Sequence, residues 1–455
     1  VAPPPTEEED MTSLSGARSA IALRGLAILM ATSSMSAYAQ DNRVENLERR
    51  LADQQQRIER LEALIEKQNA LLERMAAPAP VATPTAPPQQ VAGALPVSTP
   101  APVAALVKPA AVAKAGIAGL DVHGDLRVRE EFNFSDADGR DRSRSVMRAR
   151  LRASYRVTDS LTAGAQIATG DPDDPNSTDI TLTGFDDDLD LSLDQVWIRY
   201  QKGNLTAYAG KFPQIFQRTD MVWDGDVVPE GVGGVYAIPL GGGVQLDARA
   251  MYFIVDEAVA GPDSRMLGGQ AVLAMPLSPA FKFSVAGSYY DYALNSLGGA
   301  DVGDFRSNLV SGGRYLSDFR LIEGLATLTW NGLGGNWPVT LTGDYVRNLG
   351  AAVPSDSGFN IELAAGRTSK RGDWRLFYNY SEVGVDAVLA SFTHDNLNLA
   401  TNYRLHGLSL DYVPANNVLL DATFYHYRPL DALYSGTNQP HDWLNRIRLN
   451  LMLSF

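Results

Sequence analysis

The chain has 455 residues, 45% of them hydrophobic, with 40 glycines, 18 tyrosines and no cysteine. The missing thiols exclude a disulfide scaffold, a thiol nucleophile and a cysteine-ligated metal, and a net charge of −14 argues against a nucleic-acid partner. Beyond one apolar run near the start, no stretch reaches about eighteen uncharged apolar residues, which excludes a helical membrane protein. A barrel stays open, because strand alternation hides lipid-facing residues among polar ones.

Residues 1–39 are expected to form a leader with a secretory signal peptide. Arg18 precedes an apolar run from Ala20 to Ala31, broken by Arg24 and Gly25, and Ala37-Tyr38-Ala39 is a small-x-small cleavage site. Residues 40–75 carry heptads, with Val44, Leu51, Ile58, Ile65 and Leu72 at a, and Leu47, Gln54, Leu61, Gln68 and Met75 at d. Sustained in-register heptads predict a coiled coil that self-associates; a lone helix docked on the rest of the chain is the simpler reading. Arg43 and Arg57 at g precede Glu48 and Glu62 at e, as parallel pairing prefers. Residues 76–116 are nearly all Ala, Pro, Val and Thr, which predicts an extended linker.

Residues 117–455 read as an all-β domain, an antiparallel up-and-down barrel of about sixteen strands. Short connections fall near 158–160, 202–204, 241–242, 278–279, 332–336, 371–373 and 415–416. Long ones fall near 136–143, 170–189, 217–229, 257–264, 295–317, 350–357, 389–401 and 429–441. In the second strand Met147, Ala149, Leu151, Ala153 and Tyr155 alternate with Arg148, Arg150, Arg152, Ser154 and Arg156. In the seventh, Leu246, Ala248, Ala250, Tyr252 and Ile254 oppose Gln245, Asp247 and Arg249, and Met251 and Phe253 break the polar face. In the thirteenth, Trp374, Leu376, Tyr378 and Tyr380 oppose Arg375, Asn379 and Ser381, with Phe377 as exception. A one-residue slip would turn the charges to lipid, so the pattern sets the faces. Tyr155, Tyr200, Phe281, Trp337, Trp374, Tyr412 and Phe455 gather at the short-turn end, as an interfacial girdle requires.

The last strand puts Trp443, Ile447, Leu449, Leu451, Leu453 and Phe455 on one face, with Asn445 as exception, and Arg446, Arg448, Asn450 and Ser454 on the other, together with Leu444 and Met452. A soluble sandwich would use the apolar face as core. It leaves the turn-and-loop asymmetry, the signal sequence and the terminal aromatic unexplained together.

Four segments carry a resemblance: RARLRASYRVTDSLTAGAQIATG at 148–170, LDQVWIRY at 193–200, AGKF at 209–212 and VWDGDVVPEGV at 222–232. With them the chain, over roughly residues 120–455, resembles the "Putative porin" family of Gram-negative outer membranes, with a coiled coil ahead of the barrel. The resemblance implies an outer-membrane trimer for passive diffusion of small hydrophilic solutes and ions, its coiled coil in the periplasm, in contact with outer-membrane lipid and lipopolysaccharide. It names no solute.

Two features are candidates for selectivity. Strands one, two and sixteen become neighbours on closure, and their inward positions include Arg127, Arg129, Arg148, Arg150, Arg152, Arg156, Arg446 and Arg448. Arginine keeps its charge at any working pH, and a column of them lets an anion pass between partners. The alternative is that they pair with Asp125, Glu131 and other carboxylates and brace the wall. The second feature is the third long loop, whose Asp220, Asp224, Asp226 and nearby Glu230 accompany Gly225 and Pro229. By resemblance it folds inward and sets its carboxylates opposite the arginines; the alternative is an outward surface loop. The second long loop is also acidic, from Asp171 to Asp190, but fits no calcium motif and reads as a solvated face. No metal or other cofactor is expected. No G-x-S-x-G surrounds a nucleophile and none of the five histidines sits in a catalytic motif, so an enzyme is disfavoured. A tether to the cell wall through the coiled coil is the alternative function.

Overall fold

The computed structural model describes residues 118–135, 141–184, 189–297, 305–334 and 337–455. The expected signal sequence, coiled coil and linker all lie outside the described residues.

Among the described residues, sixteen antiparallel strands form one closed sheet, with the two-residue strand Ile180–Thr181 added beside Val146 and Met147. They are β1 (Leu120–Ser135), β2 (Arg142–Arg156), β3 (Leu161–Thr169), β4 (Leu191–Lys202), β5 (Leu205–Lys211), β6 (Glu230–Gly241), β7 (Val244–Asp256) and β8 (Ser264–Pro276). Then follow β9 (Phe281–Ala293), β10 (Arg320–Trp330), β11 (Val339–Asn348), β12 (Ser357–Gly366), β13 (Trp374–Val383), β14 (Tyr403–Ala415), β15 (Val418–Pro429) and β16 (Leu444–Ser454). Each pairs with the next, and β16 pairs with β1 from Asp125↔Ser454 to Ser135↔Leu444, which removes both free edges. Two-residue turns are tight because their residues accept positive φ: Gly203 at 57° between β4 and β5, and Asn417 at 65° between β14 and β15.

Alternation fixes the faces. In β16 Leu449, Leu451 and Leu453 are 37–46% exposed on the outer wall, while Arg446, Arg448 and Asn450 are 1–8% exposed inside. At the short-turn end the outer wall carries exposed Tyr155, Tyr200, Phe281, Trp337, Trp374 and Phe455, and Trp374 stacks on Tyr412 at 4.2 Å.

The long connections at the other end are 136–141, 170–190, 212–229, 257–263, 294–319, 349–356, 384–402 and 430–443; we term them L1 to L8. L3 and L7 fold into the barrel. Their Phe212, Phe216, Trp223, Val388, Leu389 and Phe392 pack on inward Met251, Phe253, Tyr290, Tyr292, Leu321, Val346 and Tyr403. The lumen is therefore not uniformly polar. An apolar core fills it against β7 to β15 near the long-loop end, and this explains why Met251 and Phe253 break the polar face of β7.

Candidate constriction site

The site begins with L3. Its backbone is clamped where Gln217 N–H donates to Gln270 Oε1 at 2.7 Å and Gln270 Nε2 donates back to Gln217 O at 2.7 Å. Thr219 donates to Asp344 Oδ2 at 2.5 Å. Trp223 is fully buried, stacked on Phe392 of L7 at 5.6 Å and edge-on to Tyr290 at 5.6 Å. Two backbone bonds join L3 to L7: Asp224 N–H to Phe392 O at 2.8 Å and His394 N–H to Asp220 O at 3.1 Å. With its apolar residues turned back into the core, L3 presents its carboxylates to the β16, β1 and β2 wall.

That wall is a ladder of ion pairs. Asp226 of L3 bridges Arg150 at 2.8 Å and Arg148 at 3.7 Å. Asp125 of β1 holds the same two arginines, each at 2.9 Å. One step along, Asp179 of L2 accepts from Arg127 and, at 2.8 Å, from Arg129. Toward the long loops, Glu131 accepts from Arg448 at 2.8 Å and lies 3.5 Å from Arg446. Arg448 also donates to Asn396 Oδ1 at 2.6 Å and Arg446 to Asn396 O at 2.7 Å, both in L7. Among the described residues, Arg152 has only a side-chain amide, Gln166, as hydrogen-bond partner.

Arg127, Arg129, Arg148, Arg150, Arg152 and Arg448 come together with Asp220, Asp224 and Asp226 around one cavity of about 260 Å³. Arg446 sits beside Arg448, tied to L7 above this cavity. Arg156 lies exposed at the short-turn end of β2, away from it. Glu230 starts β6, pairs with Lys211 at 2.9 Å and lines a second, larger cavity of about 880 Å³ under L2 and L5.

Burial and charge act differently on the loop acids. Burial would raise Asp226, but Arg150 and then Arg148 hold it below the ordinary carboxylate range. Asp220 is raised by burial to about 6, against the pull of Arg218. Asp224, with burial and then the Asp220 charge acting together, is pushed well above its usual value. Asp179 is held far below, its burial outweighed by Arg129 and Arg127. Asp226 and Asp179 are thus kept charged against the arginines, while Asp220 and Asp224 hold protons more readily.

Sequence reasoning missed L7 and Asp179. L7 supplies Asp395 and Asn396 to the cavity lining. Its signal was the mostly apolar stretch Val385 to Phe392, interrupted by Asp386 and Ser391 yet greasy for an outside loop. Asp179 stands in the acidic stretch read as a solvated face, yet its side chain is 11% exposed. Asp174 of the same loop meets Arg306 of L5 at 2.7 Å.

Residues 117–299 match the family model described as "Putative porin". No curated protein matches the chain. Among solved structures, Pseudomonas putida OprB is similar at 14% identity, covering 74% of this chain and 94% of that one, with a TM-score of 0.49. Salmonella typhi OmpF, solved with daunomycin, is similar at 12% identity over 74% and 97%, with a TM-score of 0.44. A loop-deletion mutant of OmpT, an outer membrane protein of Vibrio cholerae, is similar at 12% identity over 74% and 100%, with a TM-score of 0.43. The matched residues span β1 to β9, and over them this β-barrel is similar to the "Putative porin" family.

Proposed function

We propose that the barrel is an outer-membrane diffusion channel for small hydrophilic solutes and ions, assembled as a homotrimer, with its short turns in the periplasm. One observation carries the reading: a cavity inside a closed barrel, bounded by arginines on one side and by the carboxylates of an inward loop on the other. Fixed opposite charges across a narrow passage set up a transverse field, which orients dipolar solutes and disfavours apolar ones. No covalent step is needed; passage runs down the solute's gradient. Most wall arginines are already paired with Asp125, Asp179, Asp226 or Glu131. The wall therefore offers exchangeable partners rather than bare charge, and Arg152 is its least compensated member among the described residues. A weak anion preference follows at the constriction. In this reading the match to the "Putative porin" family model supplies the channel role, and the trimer and the periplasmic coiled coil are proposed with it.

Single-channel recording of the refolded chain in planar bilayers, under a salt gradient, tests the proposal. Conductance steps in threes with a reversal potential of anionic sign are expected. A folded barrel that conducts nothing would overturn it.

A further inference from the structure

The outer wall of β13 to β16 changes character just below the long loops. Arg404 of β14 stands directly opposite Arg428 of β15, and two residues further down His406 stands opposite His426. All four face outward: Tyr403, Leu405 and Tyr427 between them are 1–3% exposed on the inside. Like charges facing each other across a ladder destabilise it, and the local acid supply is thin. Glu382 accepts from Arg404 at 2.7 Å and from the Tyr380 hydroxyl at 2.6 Å. Arg428 has no carboxylate partner among the described residues; its guanidinium lies 4.9 Å from the Trp443 ring centroid. His426 stacks on that same ring, 4.0 Å away and 10° from parallel. The histidines bond through Nδ1, His406 to the Tyr378 hydroxyl at 2.9 Å and His426 to Asn445 at 2.8 Å. Among the described residues, neither Nε2 has a hydrogen-bond partner.

Below this patch the same strands carry Leu408, Leu410, Leu376 and Phe424, 38–47% exposed. That is a band for acyl chains, so the patch sits at headgroup height, at the long-loop end. We infer that Arg404, Arg428, His426 and Trp443 form a binding site for the phosphate of an anionic lipid headgroup. The phosphate oxygens would accept from the facing guanidiniums and relieve their repulsion, and the Trp443 edge would border the apolar part of the lipid. A free phosphate would meet the same cations but has no use for the apolar band beneath them. The site depends on a lipid-facing outer wall and is independent of what passes through the lumen.

Native mass spectrometry of the full chain in detergent micelles tests this, with lipid A (a glucosamine disaccharide bearing two phosphates) and phosphatidylcholine as probes. Retention of lipid A over phosphatidylcholine is expected, weakened about ten-fold or more by R404Q/R428Q. E382Q should tighten it, a gain that misfolding cannot imitate. Single-channel conductance should be the same in wild type and in both variants. Equal lipid A retention in wild type and R404Q/R428Q would overturn the site, and so would full displacement by millimolar inorganic phosphate. A Trp443→Cys label, in a chain that has no other cysteine, should not cross-link between two copies. A disulfide there would mean that this wall is covered by protein instead.

Discussion

Trp223 of L3 and Phe392 of L7 stack within the lumen, 5.6 Å between centroids and 12° between planes. Two loops more than 150 residues apart thereby form one inward body. Trp223→Ala should cost about 3–5 kcal/mol through the cavity it leaves and release L3. The expected result is a lower unfolding temperature in detergent together with flickering, larger single-channel currents. Unchanged currents would show that the backbone clamps at Gln217 and Thr219 suffice to hold the loop.

The arginine ladder gives two substitutions of opposite sign. Replacing Arg148, Arg150 and Arg152 together by Gln leaves Asp125 and Asp226 uncompensated, so the reversal potential should move toward cations. Asp226→Asn leaves Arg148 and Arg150 to share Asp125 alone, so it should move toward anions. If both variants shift the potential the same way, the ladder is structural bracing and selectivity lies elsewhere.

Asp220 and Asp224 predict a pH dependence. Burial raises Asp220 to about 6, and Asp224 is raised as well. As pH falls from 8 to 5 the constriction loses negative charge, so anion preference should increase, measured as reversal potential at fixed salt. For stability the sign is the reverse of a paired carboxylate. A raised folded-state value stabilises the fold below the unfolded carboxylate range, and that contribution is lost as pH rises through about 6. Asp220→Asn should therefore flatten both profiles and gain stability relative to wild type at pH 8. A profile unchanged by Asp220→Asn would assign the dependence to other groups.

Gly164 in β3 faces Trp197 of β4, and a Cβ there would fall 2.2 Å from the indole ring. Trp197 in turn rests edge-on against Tyr208, 5.8 Å away. Gly164→Ala should destabilise by about 1–3 kcal/mol through overpacking. Combined with Trp197→Leu the loss should be less than additive, because the second change removes the clash. Strict additivity in a denaturation cycle would contradict this contact.

Strand positions were readable because one physical rule, lipid outside and water inside, acts on every second residue. The connections 136–143 and 350–357 were found nearly where L1 and L6 lie for the same reason. L3 was legible from Gly225, Pro229 and its acids. L7 was not: the stretch Val385 to Phe392 is greasy for an outside loop, but the string does not say what buries it, and the partner of Phe392 is Trp223, far away in sequence. The pairing of Arg127 and Arg129 with Asp179 was hidden likewise, because acids that end in ion pairs and acids that end in solvent look alike in a string of Asp.

The seam between β1 and β16 sets the order of events in folding. Gly124 and Phe455 exchange both backbone bonds, at 2.9 and 3.0 Å, across a separation of more than 300 residues. Bringing such distant segments together carries a loop-closure cost of about 5 kcal/mol beyond a constant, met by no local contact. Until that seam zips, every intermediate exposes two unpaired strands, each a template for the wrong neighbour. Closure must then be the last and most cooperative event, and a chain stalled before it is a candidate for aggregation rather than a half-working pore.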